Sequence, residues 1–573
     1  MSSGHATAAT TESHHLPSGA RFFYGRTPRR VYPGNPAARM HGFTDMTMTT
    51  RSIDRSKLFL ALLSGVSMTA AFPRTGWFWV AWIALIPLLL ALRDISVKDG
   101  FRLGWLCGLT HAVGLLYWLA HTMSTYGHLP VYLTVGILLL FSTYIGLYTA
   151  LFSTLIVYLG RTPMRALATA PLLWSALEYL RSFVLTGFTW GYLGHSQYAW
   201  LTLIQSADLW GVYGLSAVIV LFNMALFFLV LSRTGKTWQG LPIPTPLAWR
   251  GMIIAALCLS LTLTYGYVRL KQIERMHAAA PKLTVGLAQG NIPQAEKWDP
   301  AFQIASTKKY IELSRQLGPE KPDLIVWPET ATPFYLFHNQ ALTRMVQRGV
   351  QKAGSAHIIG SPAVRKDDDG VAYYNSAYLL DAQGALVARY DKAHLVPFGE
   401  YVPLKKWLPF IGKIVAQVGD FHAGPPGGVL EYNGHRIGPL ICYDGIFPVL
   451  ARAAVNNGAD VLVNLTNDAW YGRTSAPYQH LVQYVFRAVE TRRSLIRATN
   501  TGISGFIQPS GRIENATPLF ESAVRIHTVA CLKNRSIYVR MGDAFAMLCL
   551  AVVGVLGLKQ RFRRNPRKPS KLA

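Results

Sequence analysis

The chain has 573 residues, 51% of them hydrophobic and only 15% charged, and a formal net charge of +27. Soluble domains average about 25% charged residues, so this composition argues against a wholly soluble protein and for one with membrane segments; the length allows two large domains. Lys and Arg gather at the ends of apolar segments rather than on one soluble face, which favours an anionic membrane surface over nucleic acid as the partner.

Residues 1–50 are polar, basic and without periodicity, and are expected to be a disordered extension. Met40, Met46 and Met48 lie close before the first apolar segment, so translation is expected to be able to start at one of them. A transmembrane domain with seven helices is expected over 51–270. Its apolar stretches fall at about 58–73, 77–92, 103–120, 129–160, 166–180, 209–232 and 251–268, and an eighth falls at 544–558. A crossing needs roughly 20 residues, so the first two are short. Glu178 makes the fifth the weakest, and an interfacial helix is its alternative. Basic residues mark alternate loops: Arg51, Arg55 and Lys57; Arg93, Lys98 and Arg102; Arg161 and Arg165; Arg233, Lys236 and Arg250; then Lys559 to Arg564. By the positive-inside rule this predicts eight crossings, both termini in the cytoplasm and residues 271–541 outside. Residues 542–573 then form a last transmembrane helix and a basic cytoplasmic tail. The loop from Phe183 to Leu209 carries Trp190, Tyr192, Tyr198 and Trp200, which suit the headgroup level.

From Lys282 the pattern becomes that of a soluble α/β domain. Helices are predicted at about 300–317, 339–353 and 477–493. Strands are predicted at 282–288, 356–360, 373–381, 384–391, 427–432, 436–441, 460–465 and 495–508. Asp367 to Gly370 reads as a solvated turn. Residues 404–421 interleave apolar side chains with Lys405, Lys406 and Lys413, either a packed surface arm or one lying on lipid. Five cysteines show no metal-ligand spacing, and neither a structural disulfide nor a metal is expected.

Three strand ends carry chemistry. The run Asp323-Leu-Ile-Val-Trp-Pro-Glu329 is a buried strand followed by a carboxylate. An alternating strand ends near Asp391 and is followed by Lys392. The strand from Arg436 stops at Cys442, and a helix opens beyond Gly445. Open α/β sheets place ligands at the carboxyl ends of their strands. Each residue alone has an ordinary structural explanation; together they form a nucleophile, a base and an oxyanion partner. A thiol needs a base near neutral pH, Glu329 can accept its proton, and Lys392 can stabilise the oxyanion formed at a carbonyl.

Glu, Lys and Cys, in that order after strand ends, resemble the nitrilase superfamily. The words Gln289-Gly-Asn-Ile-Pro-Gln294, Trp327-Pro-Glu329, Lys392 to Pro403 and Cys442-Tyr443 resemble more narrowly the apolipoprotein N-acyltransferases, bacterial membrane enzymes; the likeness covers roughly 57–560. It implies a four-layer αββα sandwich beside a membrane helical bundle, set in the inner membrane with the catalytic domain facing the periplasm. It implies a phospholipid acyl donor, a thioester on Cys442, and a diacylated apolipoprotein whose N-terminal amine is the acceptor, with no cofactor. It implies supporting roles for Glu400, Tyr443 and Asp444, and for Trp298, which matches a family tryptophan near the substrate. The family usually has Cys-Tyr-Glu where this chain has Cys442-Tyr443-Asp444, an acid one methylene shorter. A membrane-tethered carbon–nitrogen hydrolase using the same three residues is the alternative; a relic scaffold or a Cys–His hydrolase using His394, His422 or His435 is weaker.

Overall fold

The computed structural model describes residues 53–297, 299–367, 370–402 and 420–564. The 1–50 extension, Trp298, the middle of the Asp367–Gly370 turn, nearly all of the 404–421 arm and the 565–573 tail lie outside the described residues.

The amino-terminal half is helical: α1 (Arg55–Ala70), α2 (Ile86–Ala91), α3 (Val97–Leu116), α4 (Trp118–Thr125), α5 (Val131–Leu159), α6 (Pro163–Arg181), α7 (Leu201–Ile204), α8 (Ala207–Thr234) and α9 (Thr245–Ala279). A small hairpin, β1 (Thr237–Trp238) and β2 (Leu241–Pro242), joins α8 to α9. The side chains of Asp54, Ser96 and Thr162 accept backbone N–H bonds at the starts of α1, α3 and α6, donors a helix leaves unpaired. The 29 residues of α5 span about 43 Å, more than a bilayer core. It packs against α3 through small residues: a Cβ at Gly104 would lie 2.3 Å from Ser153 Oγ, and one at Gly108 2.6 Å from the Gly146 carbonyl. Helices meet this closely in membranes because lipid offers no hydrophobic drive for association.

Four helices among the described residues are long and apolar enough to cross a membrane: α5, α8, α9 and Ala544–Phe562 within α16 (Ala544–Arg564). The α3–α4 pair, bent by 54°, makes a fifth if counted as one span. The 77–92 stretch is not the single helix its hydropathy suggested. It forms a 3-10 turn, Phe78–Trp82, then the six-residue α2. Asn223 of α8 satisfies the break, accepting from Leu85 N–H (3.0 Å) and donating to the Ala81 carbonyl (2.9 Å). Irregular backbone at such a position needs a protein partner of this kind. The aromatic loop also departs from expectation. Trp190 and Tyr192 are buried, not at the headgroup level, and Trp190 Nε1 donates to Gln479 Oε1 at 2.7 Å. Tyr198 and Trp200 are half-buried.

Among the described residues the second half has twelve strands in two six-stranded sheets. One is ordered β14 (Ala523–Ala530), β3 (Lys282–Gln289), β4 (Leu324–Val326), β5 (Ala356–Asp367), β6 (Gly370–Leu380) and β7 (Leu386–Asp391). The other is ordered β13 (Ile513–Glu514), β12 (Gly505–Ile507), β11 (Ser494–Thr499), β10 (Val461–Thr466), β9 (His435–Ile441) and β8 (Leu430–Tyr432). β3–β4–β5 and β9–β10–β11 are parallel, and the flanking pairs are antiparallel.

Side chains alternate between two apolar faces, as strands buried on both sides require. Val285, Leu287, Leu324, Val326 and Ile358 of one sheet meet Ile437, Ile441, Val461, Val463 and Ile496 of the other. The opposite face of the first sheet packs Ile325, Trp327 and Ile359 against α11 (Pro300–Leu317) and α12 (Gln340–Ala353). The opposite face of the second packs Leu440, Leu462 and Leu495 against α13 (Pro448–Asn456) and α14 (Ala476–Thr491). This last core is continuous with the helical bundle through Trp190, Tyr213 and Val212. The α13–α14 layer therefore lies between the sheet and the apolar helices.

Charged groups also cross that boundary. Asp208, at the start of α8, accepts from Arg492 Nε and Arg269 Nε, each at 2.8 Å, and from Tyr265 Oη at 2.6 Å. The 495–508 stretch is two antiparallel strands, β11 and β12, not one. Strand β14 had no counterpart in the sequence reading; it pairs along the whole of β3, from Ala523↔Gln289 to Ala530↔Lys282. All five cysteines are free.

Candidate active site

Glu329 follows β4 in a tight passage through Pro328, and Trp327 Nε1 anchors that passage on Ser314 Oγ at 2.8 Å. Lys392 follows β7, and its N–H bonds to the Asn375 carbonyl of β6. Glu329 and Lys392 meet past the carboxyl ends of their strands, and both act electrostatically on Cys442, which follows β9 of the other sheet. Lys392 Nζ is 2.9 Å from Glu400 Oε1 and 3.5 Å from Glu329 Oε1. Asn375 Nδ2 bridges the same two oxygens, 2.8 Å from Glu329 and 2.9 Å from Glu400. Glu400 Oε2 accepts from Val396 N–H at 2.8 Å. Glu329 Oε2 is buried without a hydrogen-bond partner, a free acceptor lobe inside the cluster.

Cys442 leaves β9 with φ of +48° and opens a short 3-10 turn, Cys442–Ile446. Left-handed backbone at a non-glycine costs about 1–2 kcal/mol, so neighbouring bonds must hold it. Asp444 supplies three: its Oδ2 accepts from Ile441 N–H (3.0 Å) and Tyr390 Oη (2.9 Å), and its Oδ1 from His394 N–H (2.7 Å). One carboxylate thus ties the end of β9 to the segment just after Lys392. Tyr484 Oη donates to the Cys442 carbonyl from α14. A Cβ at Gly445 would lie 2.0 Å from the Tyr484 ring, so that turn accepts only glycine.

The electrostatics fit a thiol that loses its proton only during reaction. Burial pushes the Cys442 thiol up, Glu329 pushes it further, and Lys392 opposes them. Burial alone would lower the Lys392 ammonium, but the Glu400 and Glu329 carboxylates overcome this and raise it, so it stays charged. Burial raises Asp444 to about 6 against Lys392 and its three hydrogen bonds. His394, buried and close to Lys392, is lowered to about 4, and its ring lies 3.9 Å from that of Phe447. It is neutral at pH 7 and packed on an aromatic ring, a poor partner for the thiol.

Two family models match the chain: the apolipoprotein N-acyltransferase N-terminal domain over residues 64–225, and carbon-nitrogen hydrolase over 284–532. An apolipoprotein N-acyltransferase of Geobacter metallireducens is 43% identical over 515 residues, 90% of this chain and 97% of that protein. The chain belongs to the apolipoprotein N-acyltransferase family. Another member, from Methylococcus capsulatus, is 32% identical over 88% of this chain and 96% of its own length. A solved amidase from Nesterenkonia sp. is 20% identical, covers 46% of this chain and 95% of its own, and has a TM-score of 0.34, too low to bear on the fold. As an apolipoprotein N-acyltransferase the chain is an enzyme of the nitrilase superfamily, with its carbon-nitrogen hydrolase half beside a half rich in apolar helices.

Tyr443 points to the helical half: its Oη reaches the Gly187 carbonyl at 3.4 Å and its ring packs on Phe447 and His394. Two residues of the cluster escaped the sequence reading. Asn375 had a signal, the polar pair Asn375-Ser376 interrupting an otherwise apolar β6. Lys297 directly precedes Trp298 in the sequence and is buried, its Nζ donating to the Glu329 carbonyl at 3.0 Å. Away from the cluster, His435, Asp460 and Cys531 bring their ligand atoms within 4.8 Å of one another. They lie by the amino end of β9, opposite Cys442. Arg493, Lys533 and Lys282 act on Asp460 or Cys531, so a cation there would meet positive charge already present.

Proposed function

We propose that the protein transfers a fatty acyl chain from a phospholipid, through a thioester on Cys442, to the N-terminal amine of a diacylated apolipoprotein. The observation that carries this is the buried Cys442 beside a Glu329–Lys392–Glu400 cluster, in a domain whose α13–α14 layer is continuous with the apolar helices. A small soluble amide would need no such helical partner.

In the first step Glu329 takes the Cys442 proton as the sulfur attacks the acyl ester carbonyl. A carbon–sulfur bond forms, the ester carbon–oxygen bond breaks, and Glu329 returns the proton to the departing lysophospholipid hydroxyl. Lys392 bears the oxyanion charge, strongest in a dry site. In the second step the acceptor amine attacks the thioester, the carbon–sulfur bond breaks, and Glu329 passes a proton from the amine to the sulfur. Glu400 and Asn375 hold Lys392 and Glu329 in register, and Asp444 holds the turn on which Cys442 sits. Tyr443 shapes the pocket on the helical side. No metal or cofactor enters either step.

The test is acceptor dependence. Protein reconstituted in phospholipid should convert a diacylated lipopeptide with a free N-terminal amine to the triacylated form, and should leave an N-acetylated copy unchanged. Release of free fatty acid at the same rate without acceptor would instead mean a hydrolase.

The membrane arrangement that goes with this reading has eight crossings: α1, the broken 77–92 segment, the bent α3–α4 pair, α5, α6, α8, α9 and α16. The domains are the helices of 51–270, a periplasmic catalytic domain over 271–541, and 542–573 returning to the cytoplasm across the bacterial inner membrane. The alternation of basic loops supports it. A reporter active only outside the cytoplasm should work when fused near Lys282 and fail when fused after Arg564; the reverse at either site would overturn this topology.

A further inference from the structure

Lys297 is a second ammonium inside the cluster. It ends the short helix α10 (Gln294–Lys297) and is 2% exposed. Its Nζ donates to the carbonyl of Glu329, not to a carboxylate, and no ion pair within 4.0 Å involves it among the described residues. It therefore fixes the backbone of the residue that must take the thiol proton while leaving the Glu329 carboxyl group to Asn375 and Lys392.

The charge balance shows why an ammonium is needed there. Glu329, Glu400 and Asp444 bring three carboxylates to the cluster, and Lys392 brings one positive charge. Negative charge must then develop on sulfur and on the acyl oxygen in a buried site, where unbalanced charge is costly. Lys297 removes one unit of that imbalance.

We infer that Lys297 is a positioning residue for acylation: its ammonium holds Glu329 by the backbone and offsets the negative charge that forms at Cys442. This rests on the transfer reading above and adds to it a residue whose own protonation sets the alkaline limit of the first step. The titratable groups that bear on Lys297 are Glu329, after β4, and Cys442, after β9. Burial lowers the Lys297 ammonium to about 8, with Glu329 and Cys442 holding it back from a further fall. The group is charged below that pH and neutral above it, so its help is present at neutral pH and lost as pH rises.

The experiment measures single-turnover thioester formation on the full-length protein in phospholipid vesicles from pH 6 to pH 9.5. Wild type should slow above about pH 8. Lys297→Met should be slower at pH 7 by about tenfold or more and should lack the alkaline fall. Lys297→Arg, which stays charged to a pH above about 12, should keep more of the neutral rate and move the fall upward. A Lys297→Arg profile that superimposes on wild type overturns the inference, as does a Lys297→Met variant that keeps the wild-type alkaline fall. If Lys297→Met does not fold, the Arg profile alone decides. Absence of any thioester in wild type would remove the transfer reading itself, and the role of Lys297 with it.

Discussion

Replacing Lys392 with methionine is expected to lower the rate of thioester formation by about 10²–10³-fold or more, the loss typical when an oxyanion partner is removed. The structure adds a second cost. Lys392 is 1% exposed and is the cation that the Glu329 and Glu400 carboxylates share. Without it both turn their Oε1 atoms toward the same Asn375 amide with no positive charge between them. Breaking a buried pair by deleting one partner costs about 3–5 kcal/mol of stability, because the remaining charge stays buried.

Thermal unfolding of wild type and variant over a series of pH values checks the stability claim, and acylation kinetics check the rate. A variant that acylates at the wild-type rate would remove Lys392 from the chemistry. One that is as stable as wild type at every pH would mean that the carboxylates do not depend on it.

How much of this was legible follows from what constrains each residue. Glu329, Lys392 and Cys442 could be read because each follows the carboxyl end of a strand, and only together do they make a nucleophile, a base and an oxyanion partner. What the strand pattern did not show is that they come from two sheets: β4 and β7 lie in one and β9 in the other, and the stacking of the two brings Cys442 to Glu329 and Lys392. Asn375 was overlooked because it lies inside β6, where an amide is most simply a strand residue; its meaning comes only from bridging Glu329 and Glu400 across strands. Lys297 was overlooked because lysine before a helix start is usually solvated, and nothing in local spacing shows that it is buried.

The membrane half shows the same limit. Hydropathy found the apolar segments but could not see that Asn223, on a distant helix, satisfies a break between Ala81 and Leu85. Trp190 and Tyr192 looked like headgroup anchors because aromatic loops beside crossings usually are. Here the α13–α14 layer packs over that loop and buries them. Strand β14 was missed because Ala523–Ala530 mixes Arg, His and Thr with its apolar residues, and its pairing partner lies more than two hundred positions earlier.

In the proposed reaction Cys442 carries the acyl chain between donor and acceptor. A site resolved by an amine should stall when only the donor is present, so protein exposed to phospholipid alone should accumulate the acyl-enzyme. The most direct measurement is the intact mass of that protein, followed by mapping of the modified residue. The expected result is a gain of one fatty acyl chain on Cys442, released by neutral hydroxylamine as a thioester must be. No gain is expected in Cys442→Ala, which lacks the nucleophile. An unchanged wild-type mass, an acyl chain on a serine, or an acyl chain still acquired by Cys442→Ala would contradict the proposed reaction.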